Sequence, residues 1–235
     1  MIDLDIIQPC YNPFHGWEKS VWMHFGNVLK LLPDVNINLI IVNDGSQTNI
    51  TDESVTFLRE RICNFQFISY EQNRGKGYAL RQGLAASKGS LQICTDIDFP
   101  YELIHIKQMY ELLEGDADIV CGVRTKKYYN TLSFERMVAS NMSQILNKIF
   151  LRLPFSDTQS GLKGFNHKGR KIMLSTTIER YLADTEFLAI AAKAKRINII
   201  PCEVSLRDNV TLSKMGARIF AAEFRNFLHV CSIVR

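Results

Sequence analysis

INLIIVNDGS, residues 37–46, sets a nearly unbroken apolar run against a tight polar turn. A strand with one wet face alternates apolar and polar residues. A continuous run of this length reads instead as a strand buried on both faces, as in a parallel sheet covered by helices. Asn43-Asp44-Gly45-Ser46 closes the run. An Asx-turn with a left-handed glycine explains that closure by itself. Asp44 can also be read as a carboxylate that accepts hydrogen bonds from a nucleobase or ribose.

Upstream, LDIIQ at 4–8 is a shorter apolar run, stopped by Pro9 and the turn-prone Asn12-Pro13. Between the two runs, Trp17, Val21, Phe25, Val28, Leu29 and Leu32 recur at helical spacing. Thr51 predicts an N-cap for a helix reaching about residue 62. The same alternation continues with a strand at 65–70, a helix at 75–87, a strand at 91–95, a helix at 102–113 and a strand at 117–123. Beyond Arg124 the pattern loosens. Helices are expected at 132–151, 167–175 and 182–194, the last with Asp184 and Glu186 in its first turn. A short strand is expected before residue 167 and another at 197–204, followed by an amphipathic helix over 217–234.

Strands alternating with helices imply a mostly parallel α/β sheet in a single domain, residues 1–235. In such sheets ligands bind beyond the carboxyl ends of the strands. Four polar clusters follow predicted strands: Pro9-Cys10-Tyr11-Asn12, Asn43–Ser46, Asp96-Ile97-Asp98 and Gly122-Val123-Arg124. They are expected to converge on one edge.

Composition narrows the class. The chain is 46% hydrophobic and 22% charged, which suits a globular domain rather than a disordered chain. Nothing resembles a secretory signal, and no stretch of about 18 uncharged apolar residues could span a bilayer. Six cysteines lack any metal-ligand or CxxC spacing and read as reduced, mostly buried thiols of a cytoplasmic protein. Between Arg124 and Lys171, ten lysines and arginines face only Glu135 and Asp157, so this segment is about +8 against +4 for the whole chain. Such a segment reads as a solvated face or as a surface that meets phosphate. No nucleic-acid signature accompanies it, so no nucleic-acid partner is expected.

Asp96 and Asp98 carry the sharpest chemical signal. In an extended segment residues two apart point the same way, so both carboxylates would face one volume. Two such charges repel unless one binds a proton or a cation lies between them. A hard divalent ion held also by substrate phosphates would resolve this. A helix cap plus a solvated aspartate is the bland alternative. In NRGKGYALRQGLAAS, 73–87, two glycines frame Lys76 at a helix start, a place that attracts phosphate. It is neither a P-loop nor a dinucleotide fingerprint. Asp157, in DTQSG, is either a turn residue or a general base. The five histidines form no motif.

Taken in order, PCYN, VNDGS, NRGKGYALRQGLAASKGS, TDID, GVR, DTQSGLKGF and DTEF resemble family 2 inverting glycosyltransferases of the GT-A fold. Within that family they look most like the dolichyl- and polyprenyl-phosphate sugar synthases. The resemblance implies a nucleotide-binding half at 1–124, an acceptor-binding half at 125–215 and a C-terminal helix at 216–235. It implies a UDP- or GDP-sugar donor, Mg²⁺ or Mn²⁺, and a lipid-phosphate or glycan acceptor. Pro9, Tyr11 and Asp44 would hold the nucleoside, Lys76 the phosphates, and Asp96 and Asp98 the sugar nucleotide and its metal. Arg207 and Lys214 would close over the diphosphate. Arg124, Arg136 and Ser140 would meet the acceptor phosphate. Asp157, Asp98 and Arg124 are the implied catalytic groups.

The sequence departs from the family pattern in two places. Pro13 stands where the first motif carries a glutamate, and Pro100 stands where the metal motif carries a glutamine. An ionised phosphate acceptor needs little base help, whereas an alcohol acceptor would need Asp157. A hydroxyl-directed transferase and a GT-A module without catalysis are the competing readings. The tail, with Phe220, Phe224, Phe227, Leu228, Cys231 and Val234, reads as packing on the sheet or a second subunit, or as a peripheral membrane contact.

Overall fold

The computed structural model describes residues 1–124, 160–180 and 182–208, with Asn226, His229, Val230, Ser232 and Ile233. The expected helix at 132–151, and Arg136, Ser140, Asp157 and Lys214, lie outside the described residues.

The chain alternates as its periodicity predicts. It runs β1 (Leu4–Cys10), α1 (Trp17–Leu31), β2 (Ile37–Asp44), α2 (Asp52–Arg61), β3 (Phe65–Tyr70), α3 (Lys76–Ala86), β4 (Leu91–Cys94), α4 (Ile104–Glu114) and β5 (Ile119–Arg124). After the undescribed stretch come β6 (Lys163–Phe165), α5 (His167–Leu174), α6 (Ala183–Lys193) and β7 (Ile199–Val204). Thr51 caps α2 as expected, in a reciprocal box with Ser54.

One seven-stranded sheet forms in the order β3-β2-β1-β4-β6-β5-β7. β1, β2, β3 and β4 pair in parallel, as do β5 and β7. β6 is antiparallel to both β4 and β5, which makes β5 run the same way as β4. The chain winds outward from β1 to β3, then returns to place β4 on β1's other side. The carboxyl ends of β1 and β4 therefore flank a topological switch point, where open α/β sheets bind ligands.

Every residue of β2 is buried, which explains its continuous apolar run. Successive side chains of β1 serve opposite faces of the sheet. Leu4 and Ile6 join α1, α2 and α4, through Val21, Phe25, Leu58, Ile106 and Met109. Ile7 joins α3, α5 and α6, through Leu80, Leu84, Met173 and Phe187.

One detail differs from the sequence reading. Leu29 was placed on the buried face of α1 but is 40% exposed, and His24 is buried in its place. The true stripe runs 17, 21, 24, 25, 28, and Leu29 lies one helical step past its edge. The tail packs on the domain at Val230, which is buried with Ile178, Ala183 and Ala189. Cys10, Cys94, Cys121 and Cys202 are buried, and Cys63 is exposed. No helix among the described residues is long and apolar enough to cross a membrane.

Candidate active site

Because β1, β2, β4 and β5 run the same way, the four expected clusters do share one edge of the sheet. Reversed β6 enters from that edge, so Ser160 and Gly161 arrive there as well.

Asp96 and Asp98 do not lie in an extended segment. Phe99 N donates to Asp96 O at 3.0 Å, which closes a turn. Phe99 takes the left-handed φ of +46°. The turn, not strand alternation, brings the two carboxylates close. Three groups hold its backbone. Gln8 Nε2 donates to Asp96 O at 3.0 Å, Arg207 Nη2 to Asp98 O at 2.7 Å and Arg207 Nε to Phe99 O at 2.5 Å.

The two acids differ in their partners. Asp96 Oδ1 receives the Lys76 ammonium at 2.5 Å. Burial alone would lower the Lys76 pKa, but Asp96 and then Asp184 outweigh it and hold the ammonium above the usual lysine range. Asp98 has no ion pair among the described residues. Burial first, then the charge on Asp96, raises its carboxyl above the usual aspartate range, with Arg207 and Lys76 opposing only in part.

No cluster of three His, Cys, Asp or Glu side chains forms a complete metal cage among the described residues. The donor set nevertheless fits a hard divalent cation that takes its remaining ligands from phosphate and water. Asp98 is a half-buried carboxylate with no ion pair among the described residues, which is the condition a cation relieves.

Asp44 is buried and heavily engaged. Its oxygens accept from Asn73 Nδ2 at 2.8 Å, Arg74 N at 2.7 Å and Gly75 N at 2.8 Å. It thereby shapes the entry to α3. Tyr78 N, one turn on, donates to Glu179 O at 3.1 Å. Amides that the sequence reading offered to phosphate are thus partly taken by the protein. A Cβ on Gly77 would lie 2.4 Å from Ala183 Cβ and 2.5 Å from Ile178 O, so Ile178 and Ala183 sit directly on this helix start. Arg74 pairs with Glu179 over the same contact.

Pro9 is half-buried at the end of β1, and Tyr11 is 51% exposed beside it. Asn12 joins this loop to the one after β2. Its N donates to Ser46 Oγ at 2.8 Å, and its Oδ1 accepts from Gln47 N at 2.8 Å. Asn49 Nδ2 donates to Pro13 O at 2.7 Å, so Pro13 belongs to the same tie. Arg124 is half-buried at the end of β5.

Sequence reasoning gave no role to a second charged pair beneath the site. Lys163, 3% exposed, lies 3.1 Å from Asp184 Oδ1 and also donates to Ser160 O. This fixes the 160–161 turn against Asp96: a Cβ on Gly161 would lie 2.5 Å from Asp96 Oδ2. The charges of Asp96, Lys76, Asp184 and Lys163 thus alternate. The available signal was a lone lysine in an apolar strand and an aspartate at a helix start. Lys163→Met would leave Asp184 without its buried counter-charge and is expected to cost about 3–5 kcal/mol in chemical denaturation. Adding Asp184→Asn should recover part of that loss.

The fold is the GT-A glycosyltransferase arrangement, with an acidic turn at its switch point. The chain belongs to glycosyl transferase family 2: the family model matches residues 5–171. Among curated proteins it is similar to the dolichyl-phosphate beta-glucosyltransferase of Dictyostelium discoideum, 29% identical over 72% of this chain and 54% of that protein. The Saccharomyces cerevisiae protein of the same name is 25% identical over 93% of this chain and 70% of its own length. The chain thus spans little more than half of the Dictyostelium protein. Among solved structures, mannosyl-3-phosphoglycerate synthase from Rubrobacter xylanophilus shares the fold at TM-score 0.65 and 13% identity, over 98% of this chain and 73% of that one. A Pyrobaculum calidifontis mannosyltransferase in complex with GDP-Man and Mn²⁺ does so at TM-score 0.58 and 15% identity, over 97% and 62%.

Proposed function

We propose that the chain is an inverting, metal-dependent hexosyltransferase, moving a sugar from a UDP- or GDP-sugar to a polyprenyl- or dolichyl-phosphate acceptor. The observation that carries this reading is Asp98, a half-buried carboxylate at the switch point of the sheet with no ion pair among the described residues. Relatives named for transfer to dolichyl phosphate support the acceptor class. A solved neighbour that holds GDP-Man and Mn²⁺ supports the donor class.

Asp98, with Asp96 beside it, would hold Mg²⁺ or Mn²⁺. The bound ion would neutralise charge that builds on the departing diphosphate. Lys76 pairs with Asp96 and places a second positive charge at the same spot. Pro9, Tyr11 and the Asp44 loop form the nucleoside end of the site, and Asp44 acts there by shaping backbone. Arg124, Arg136 and Ser140 would orient the acceptor phosphate so that its oxygen attacks the anomeric carbon from the face opposite the leaving group. Lys214 would add positive charge over the diphosphate. The basic 124–171 segment suits a peripheral protein at a cytoplasmic membrane face, working alone or as a homo-oligomer.

The described end of the DTQSG loop rests on Asp96, which supports a role for Asp157 close to the chemistry. The test has two stages. Calorimetric titration with UDP and GDP, with and without Mn²⁺, should show metal-dependent binding of one of them. Transfer to a polyprenyl phosphate should then survive Asp157→Asn with a modest loss, whereas transfer to a sugar hydroxyl should nearly vanish. Wild-type protein that binds neither nucleotide in Mn²⁺ would overturn the reading.

A further inference from the structure

His24 is 7% exposed on the inner face of α1. Its Nδ1 lies 2.7 Å from Ser20 O, an atom that can only accept, so Nδ1 carries the proton. Nε2 is therefore an acceptor, and Arg207 Nη1 donates to it at 2.6 Å. The ring also stacks on Phe99, with centroids 5.8 Å apart and planes 29° from parallel. Arg207 holds three consecutive carbonyls of the acidic turn: Asp98 O at 2.7 Å, Phe99 O at 2.5 Å and, through its own backbone N, Pro100 O at 2.9 Å. Each of the three guanidinium nitrogens thus makes a hydrogen bond to the turn or to His24.

We infer that His24 is a positioning residue for metal-dependent donor binding: it acts through Arg207 and Phe99 to fix the turn that presents Asp98. The inference rests on the proposed role of Asp98. The physical need is clear. Phe99 is held at a left-handed φ that is costly for a bulky residue. The turn also presses Asp98 toward Asp96, and like charges would open it. Arginine on the carbonyls opposes both effects. A guanidinium tethered at one end would swing, and His24 supplies the fixed acceptor at the other. Its imidazole stays neutral because burial first, and then Arg207, lower its pKa against the opposing Ser20 bond. A histidine on an apolar helix face is thereby tied to Arg207 across 183 positions of sequence, and through it to the turn.

The test is calorimetric binding of Mn²⁺ with UDP and with GDP to the full chain, alongside thermal melts. It compares wild type with His24→Leu, His24→Phe and His24→Gln. Leucine and phenylalanine fill the space without an acceptor, and phenylalanine keeps the stacking. Glutamine can offer Oε1 near the position of Nε2. The expected result is Mn²⁺ affinity weakened about 10–100-fold in the Leu and Phe variants, as for other outer-shell partners of metal ligands. The Gln variant should recover most of it, with melting temperatures close to wild type throughout. Should His24→Leu fail to fold, His24→Phe decides. Wild-type affinity in the acceptorless variants, or equal losses in Gln and Phe, would overturn the inference alone. A wild-type chain that binds no Mn²⁺ with either nucleotide would remove the donor site itself, and this inference with it.

Discussion

Asp98→Asn is expected to abolish metal-stimulated transfer while leaving the metal-free protein at least as stable as wild type. The loss should be about 100-fold or more, since a metal's charge stabilisation amounts to several kcal/mol and about 1.4 kcal/mol is one decade in rate. The stability half follows from the sign of the shift. Asp98 is raised above the usual aspartate range by burial and by Asp96, so the folded protein prefers its protonated form. That preference stabilises the fold below the ordinary carboxylate range and is lost as pH rises through the raised value. At neutral pH the ionised group works against the apo fold, and asparagine removes the charge. Asp96→Asn should behave in the opposite way. It deprives the Lys76 ammonium of its partner and should lower the melting temperature. Melts of both variants with and without Mn²⁺, beside the transfer assay, check the contrast. An Asp98→Asn protein that melts well below wild type without metal would show that the carboxylate is structural.

Asp44→Ala is expected to be strongly destabilising. It removes the acceptor of Arg74 N and Gly75 N, and one of the two acceptors of Asn73 Nδ2, at a site only 3% exposed. Each buried group left without a partner costs about 1–3 kcal/mol, so a total of roughly 3–5 kcal/mol is expected. For a chain of this size each kcal/mol shifts the melting temperature by about 2–4 °C, which predicts a fall of roughly 6–20 °C. Asp44→Asn keeps one acceptor oxygen and should lose about half as much. If Asp44 met the nucleoside directly and did little else, either variant would weaken UDP or GDP binding with an unchanged melt. Denaturation beside nucleotide titration separates the two roles.

The contrast between these carboxylates shows what each level of description could reach. Both aspartates follow apolar runs, and the sequence put both on the binding edge. It could not tell that one shapes backbone while the other has no ion pair among the described residues. The partners of Asp44 come from residues 29 to 31 positions away, brought close only when α3 docks on the sheet. The spacing of Asp96 and Asp98 pointed to proximity, and proximity is what the fold delivers, but through a turn whose closing bond no alternation rule contains. His24 passed as a stray histidine because an apolar tally along α1 preferred Leu29, and helical geometry gives the inner position to residue 24.

What the chain determined by itself was whatever local physics encodes: apolar runs long enough to be parallel strands, helical stripes between them, a threonine cap, and the rule that parallel strands end on one edge. Those features depend on neighbours a few positions apart, and they were sufficient for the fold and the edge. The tertiary structure alone decided the reversed β6, the Lys163–Asp184 pair beneath the turn, and the arginine strung between His24 and the carbonyls of Asp98 and Phe99. Each of these joins groups from elements distant in sequence, where hydrogen-bond geometry and charge pairing follow from packing, and no periodicity in the chain records it.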